Sequence, residues 1–157
     1  MSEPRYDLSL LENTVLVRLR DHWHALADGR AMPRRADFDP IAIPDILASI
    51  VLFDVVGEPP RFRFRVVGST PAYTAGIDPT GRFFDEFPVS EVAHDRMIDC
   101  VRDGRPYFVD DEFPWATEEA MRYASLVLPL ADEREAVGWL IAATDIYKPS
   151  RPDESLI

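Results

Sequence analysis

Residues 50–69 read IVLFDVVGEPPRFRFRVVGS, two short runs rich in β-branched and aromatic residues on either side of Gly57-Glu58-Pro59-Pro60. That punctuation marks a hairpin loop. The second run alternates, with Phe62, Phe64 and Val66 set against Arg61, Arg63 and Arg65. A period of two sends the aromatics to one face and the arginines to the other. If Val56 opposes Arg61 across the loop, Val55 meets Phe62, Phe53 meets Phe64 and Val51 meets Val66. The same register brings Asp54 opposite Arg63 on the other face. One alignment therefore satisfies the apolar pattern and a cross-strand charge pair together.

Upstream of the hairpin, Ser9-Leu10-Leu11-Glu12 has the spacing of a capping box. Leu11, Val15, Leu19, Trp23 and Leu26 then recur at helical spacing up to Gly29, which predicts a helix over residues 10–28. Residues 30–44 form a proline-containing connection, followed by a short helix over 45–48. Downstream, Thr70 is the expected cap of a short helix with Pro71 at its first position. Phe83, Phe84 and Phe87 crowd the next loop, and Pro88 and Ser90 open a longer helix to Asp103. Its apolar side is read as Val89, Val92, Ala93, Met97, Cys100 and Val101. Three strands close the chain, over residues 106–113, 121–130 and 136–147. The acidic centre of the first (Asp110, Asp111, Glu112) suits an edge or a bulge. The last is apolar on both faces and suits the middle of a sheet. Two strands, then helices, then three strands describe an α+β domain with helices packed on an antiparallel sheet.

The chain has 157 residues, 46% of them hydrophobic, which suits one folded domain with a real core. Its formal net charge of −11 argues against a nucleic-acid partner or an anionic membrane surface. No apolar run approaches a membrane span, and MSEPRYDLS lacks a signal-peptide pattern. A single cysteine, Cys100, fits a reducing compartment, so the expected location is the cytoplasm. The expected organisation is an N-terminal helix over 1–29, a domain over 30–147 and a flexible tail over 148–157.

An ordered set of short motifs resembles the PAS sensor fold, and within it the bacterial single-domain branch called PAS_5. They are Trp23, Gly29, residues 33–40 (PRRADFDP), Ile43-Pro44, Leu47, the strand 51–55, the run 62–69, residues 78–82 (DPTGR), Gly104-Arg105-Pro106, Arg122-Tyr123 and Leu128-Pro129-Leu130. The resemblance implies a five-stranded antiparallel sheet in the order 2-1-5-4-3, with helices on one face and the N-terminal helix added. It also implies a fold that binds small ligands between sheet and helices and often dimerises.

Signatures of catalysis are absent: no G-x-S-x-G, H-E-x-x-H, Walker or G-x-G-x-x-G pattern occurs, and no catalytic residue is assigned. His94 and Cys100, six residues apart on one helix, stand about 9 Å apart along its axis, too far for a nucleophile and its base. His22 and His24 point about 200° apart on a helix and cannot share a metal. Flavin-type PAS domains use a cysteine on an early helix, whereas Cys100 lies on the long one. Haem-type PAS domains can use a histidine on the long helix, where His94 flanks the apolar side. Neither pattern is met well, and no cofactor and no metal are expected. What the pattern does contain is a candidate apolar chamber lined by Phe62, Phe64, Tyr73, Phe83, Phe84, Phe87 and Met97. Tyr123 and Trp139 would offer it polar tips for orienting a ligand. The competing account is that these side chains simply fill the core.

The reading is a non-enzymatic PAS regulator in signalling. It binds a small ligand or a protein partner and hands its output to a separate signalling protein. One alternative is an interaction scaffold with a filled core and no ligand. Another is a small acid–base enzyme on a similar curved sheet. The N-terminal apolar stripe is expected to form a homodimer contact, since the domain behind it has a sheet and helices of its own. The rival placement lays that stripe across the outer face of the sheet, over Leu52.

Overall fold

In the computed structural model, residues 3–88, 91–112 and 121–148 are described. Five strands, β1 Ile50–Val56, β2 Arg61–Val67, β3 Tyr107–Glu112, β4 Arg122–Ala131 and β5 Val137–Tyr147, pair antiparallel in the order β2-β1-β5-β4-β3. This is the implied order, with the apolar last strand at the centre. The helices are α1 Thr14–Ala27, α2 Ser69–Ala75 and α3 Glu91–Asp103. The expected helix over 45–48 is a single 3-10 turn, Leu47–Ser49. Val89, Ser90, Phe113 and the tail beyond Lys148 lie outside the described residues.

Alternation along the strands builds two cores, one on each face of the sheet. On one face Leu52, Leu126, Leu128, Leu130 and Ile141 meet Leu16, Leu19 and Trp23 of α1. On the other Val51, Phe53, Phe62, Phe64, Val127, Leu140 and Ala142 meet Met97 and Cys100 of α3. The helical stripe of α1 is therefore consumed by the chain's own sheet. The Trp23 indole Nε1 also donates to the Pro129 carbonyl of β4 at 2.9 Å. This corrects the expectation that the stripe is left over for a second copy; the rival placement over Leu52 is the observed one. The reason is the central sheet itself, whose outer face is as apolar as its inner one and needs a cover.

The start of α1 is also corrected. Ser9 belongs to a 3-10 turn, Leu8–Leu10, capped by Asp7, and the helix begins at Thr14. Its cap is Asn13, whose Oδ1 accepts from the amides of Val15 and Leu16 at 3.0 and 3.2 Å. The Asn13 Nδ2 donates to Asp145 on β5 at 2.9 Å. A cap that also bonds to the sheet wins over one that satisfies only local amides.

The hairpin register holds for Val55–Phe62, Phe53–Phe64 and Asp54–Arg63, and then slips between Leu52 and Phe53. Val51 faces Val67, Leu52 faces Val66, and Arg65 is the extra residue of a bulge. One inserted residue flips the alternation. Val66 accordingly packs with the α1 core and Val67 with the α3 core, not the reverse as the unbroken pattern predicts. Both sheet edges carry local cover. Gly81 and Arg82 bond to the backbone of Phe64 along β2, at 2.7 and 2.9 Å, and Arg5 does the same for Phe108 on β3.

Gly68 takes the cap position of α2, and Thr70 lies inside the helix. A Cβ on Gly68 would stand 2.2 Å from the Ala48 carbonyl oxygen, so only glycine allows this approach. Its amide donates to the Ile50 carbonyl at 2.7 Å and joins the helix start to β1.

Candidate functional site

The side of the sheet that faces α3 has two halves. The first is aromatic. Phe53 and Phe64 lie 4.8 Å apart between ring centroids, and Phe84 stands edge-on to Phe53 at 5.9 Å. Phe87 meets Phe64 at 5.9 Å. β1 and β2 supply the strand aromatics through their shared register, and the 3-10 turn Phe84–Glu86 folds the loop aromatics over them. His94 of α3 closes this wall. Its ring is edge-on to Phe62 at 5.5 Å and stacked with Phe84 at 6.3 Å. Its Nε2 is buried and has no hydrogen-bond partner among the described residues.

The second half is polar. Arg96 of α3 and Asp111 of β3 are both buried, and the Arg96 Nη1 donates to the Asp111 Oδ2 at 2.9 Å. On the adjacent strands the hydroxyls of Ser125 and Thr144, a cross-strand pair, share a hydrogen bond of 3.2 Å. Tyr107 and Tyr123 lie beside this group. Burial, with the charge of Asp111 adding to it, pushes the Tyr123 phenol up to about 12. Burial raises Tyr107 well above the ordinary tyrosine value. Both are therefore neutral phenols at physiological pH. Burial likewise pushes the Cys100 thiol up to about 12, with Asp103 contributing, so it is no nucleophile.

Six of the nine side chains read as chamber lining do meet here: Phe62, Phe64, Phe84, Phe87, Met97 and Tyr123. Three do not. Tyr73 is 88% exposed on the outer side of α2. Phe83 lies under the Arg61 guanidinium, 4.0 Å from it, outside the wall. Trp139 alternates with Leu140 and so falls on the α1 face, where its Nε1 donates to Asp54 at 3.2 Å. The sequence reading missed Arg96, Asp111, Ser125 and Thr144. A signal existed for three of them, and none for Asp111. Arg96 lies one turn before Cys100 on the apolar side of α3. Ser125 and Thr144 are the polar residues in otherwise apolar strand centres.

The side chains present offer a flavin no cysteine for a covalent adduct and a haem no accessible histidine nitrogen on α3. α2 carries no cysteine, and Cys100 is inert and packed in the α3 core. The His94 imidazole is flanked by Phe62 and Phe84, and its Nε2 is closed off by packing. Among the described residues no group of three or more His, Cys, Asp or Glu side chains is placed to hold a metal ion. None of the described helices is long and apolar enough to cross a membrane.

The family whose pattern matches residues 11–141 is PAS_5, described as "PAS domain". No curated protein matches the sequence. Among solved structures, a light-oxygen-voltage domain studied with a flavin analogue is similar at a TM-score of 0.51 and 12% identity, covering 68% of this chain and 82% of that one. A sensory box sensor histidine kinase from Vibrio cholerae is similar at a TM-score of 0.49 and 16% identity, covering 70% of this chain and 92% of that one.

Proposed function

We propose that this chain, which belongs to the PAS_5 family of PAS domains, is a non-enzymatic cytoplasmic regulator that binds a small ligand on the α3-facing side of its sheet and passes its state to a protein partner. The observation that carries this reading is the buried polar group of Arg96, Asp111, Ser125 and Thr144 set beside an aromatic wall. A few convergent polar groups in an apolar surround are what orients a small molecule. The neutral phenols of Tyr107 and Tyr123 add donors without adding a base. The inert thiol of Cys100 supports a binding role over catalysis.

A second reading, a protein-interaction scaffold with a filled core, is favoured by the packing of the wall: Phe62 is fully buried, and Phe64 and Met97 nearly so. Thermal shift against a library of metabolites separates the two, because a ligand that binds only the folded state raises the melting temperature. A homodimer through α1 has little support, since its outward residues are Thr14, Asp21, His24 and Ala25. Light scattering is expected to give a monomer at tens of micromolar; a dimer abolished by removing residues 1–29 would restore the α1 contact.

A further inference from the structure

On the α1 face of the sheet, near the β2 edge, one buried carboxylate holds three donors. The Asp54 Oδ2 accepts from the Arg63 Nε at 3.1 Å. Its Oδ1 accepts from the Arg65 Nε at 3.1 Å and from the Trp139 Nε1 at 3.2 Å. The Asp54 side chain is 8% exposed, while those of Arg63 and Arg65 are 40% and 57% exposed. The inner edge of each guanidinium is thus pinned and its outer part is in solvent. Among the described residues no hydrogen-bond acceptor engages the Nη groups of Arg63 or Arg65. The neighbouring Arg61 differs: Asp85 takes both its Nε and its Nη2, at 2.8 and 2.7 Å, and the Phe83 ring lies beneath it at 4.0 Å, against 5.9 Å from Arg63. Its charge is matched and its donors are used. At Asp54 two guanidiniums share one carboxylate, which leaves one positive charge uncompensated on a chain whose net charge is −11.

The geometry points to an oxyanion-binding site at Arg63 and Arg65, which takes a phosphate or carboxylate group through their outward Nη donors. Anchoring through Nε leaves the two Nη of each guanidinium as the recognition edge. Arginine suits this use because its planar fork matches an oxyanion and holds its charge at any physiological pH. The bulge at Arg65 is part of the device. It gives β2 an extra residue at the point where its second guanidinium reaches the carboxylate already paired with Arg63. The site lies on the opposite face of the sheet from the α3-facing side and is independent of any ligand bound there.

The test is a titration of the 15N-labelled chain with inorganic phosphate and, separately, with acetate. Ionic strength is held constant with sodium chloride, and the arginine Nε–Hε resonances are followed. A saturable shift confined to Arg63 and Arg65 is expected. Arg65→Gln is expected to weaken it about tenfold or more, and Arg65→Lys, which keeps the charge but loses the fork, to weaken it measurably. Arg102→Gln, on the helix across the sheet, should leave it unchanged. Saturation by phosphate alone identifies a phosphate ligand, and equal saturation by acetate identifies a carboxylate. If neither anion saturates, or if saturation survives Arg65→Gln, the site is overturned.

Discussion

Asp111→Ala removes the buried carboxylate that accepts from the Arg96 guanidinium on the α3 side of the sheet. The two side chains are 4% and 9% exposed, and their hydrogen bond is 2.9 Å long. Removing one partner of such a pair costs roughly 3–5 kcal/mol, most of it the desolvation of the charge left behind. For a chain of this length each kcal/mol moves the melting temperature by about 2–4 °C, so a fall of roughly 6–20 °C follows. The double change Arg96→Met with Asp111→Leu removes both charges and keeps apolar volume. It is expected to recover most of that loss, as replacing a whole buried pair often does. The reference pair is Arg18–Asp45, with side chains 41% and 55% exposed, where Asp45→Ala should cost only about 0.2–1 kcal/mol. Urea denaturation of the four proteins, read by circular dichroism, gives the comparison. If Asp111→Ala costs no more than Asp45→Ala, or if the double variant is no more stable than Asp111→Ala, the pair is not desolvated as described. The polar half of the site then loses its physical basis.

Phe64→Ala should cost roughly 3–5 kcal/mol, because the ring is nearly fully buried against Phe53, Phe84 and Phe87. A loss below about 1 kcal/mol in the same assay would mean that the ring borders open space. Gly68→Ala should leave little folded protein, since the new methyl meets the Ala48 carbonyl at 2.2 Å; a melting temperature equal to wild type would refute that close approach. His22 packs edge-on to Phe38, its Nε2 is buried with no hydrogen-bond partner among the described residues, and burial, with Arg18 adding to it, holds its pKa below the ordinary histidine value. The unfolded chain therefore binds this proton more readily, so stability falls as pH drops through about 6.5 and levels off below the folded value. His22→Gln should flatten that slope between pH 7 and pH 5.5, and an unchanged slope would assign it to other groups.

The hairpin was legible because alternation and charge pairing demanded the same register, and Val55–Phe62, Phe53–Phe64 and Asp54–Arg63 follow it. The central strand was legible because an apolar run leaves no face for water. The bulge at Arg65 was not, since nothing in RFRFRVV marks where one residue drops out of the ladder. The cap at Asn13 depends on Asp145, far along the chain, and a local capping signature cannot anticipate that contact. In the site, aromatics adjacent in sequence separate in space: Phe84 enters the wall while Phe83 turns to Arg61. Trp139 fails for a simpler reason, the parity of its strand position. The polar half was overlooked because buried arginine and aspartate read as surface charges until their partners are known.

The proposal that the α3-facing side of the sheet receives a small molecule is tested most directly by ligand-induced stabilisation. Thermal shift is measured for the wild-type chain and for Ser125→Ala across a metabolite library. A ligand present at about 100 times its dissociation constant adds about 2.7 kcal/mol, or roughly 5–11 °C for a chain of this size. At least one compound is expected to give that rise with the wild type and a smaller one with Ser125→Ala. If no compound raises the melting temperature, the account is contradicted and the filled-core scaffold takes its place; a rise identical in the variant contradicts the placement of the ligand at the polar half.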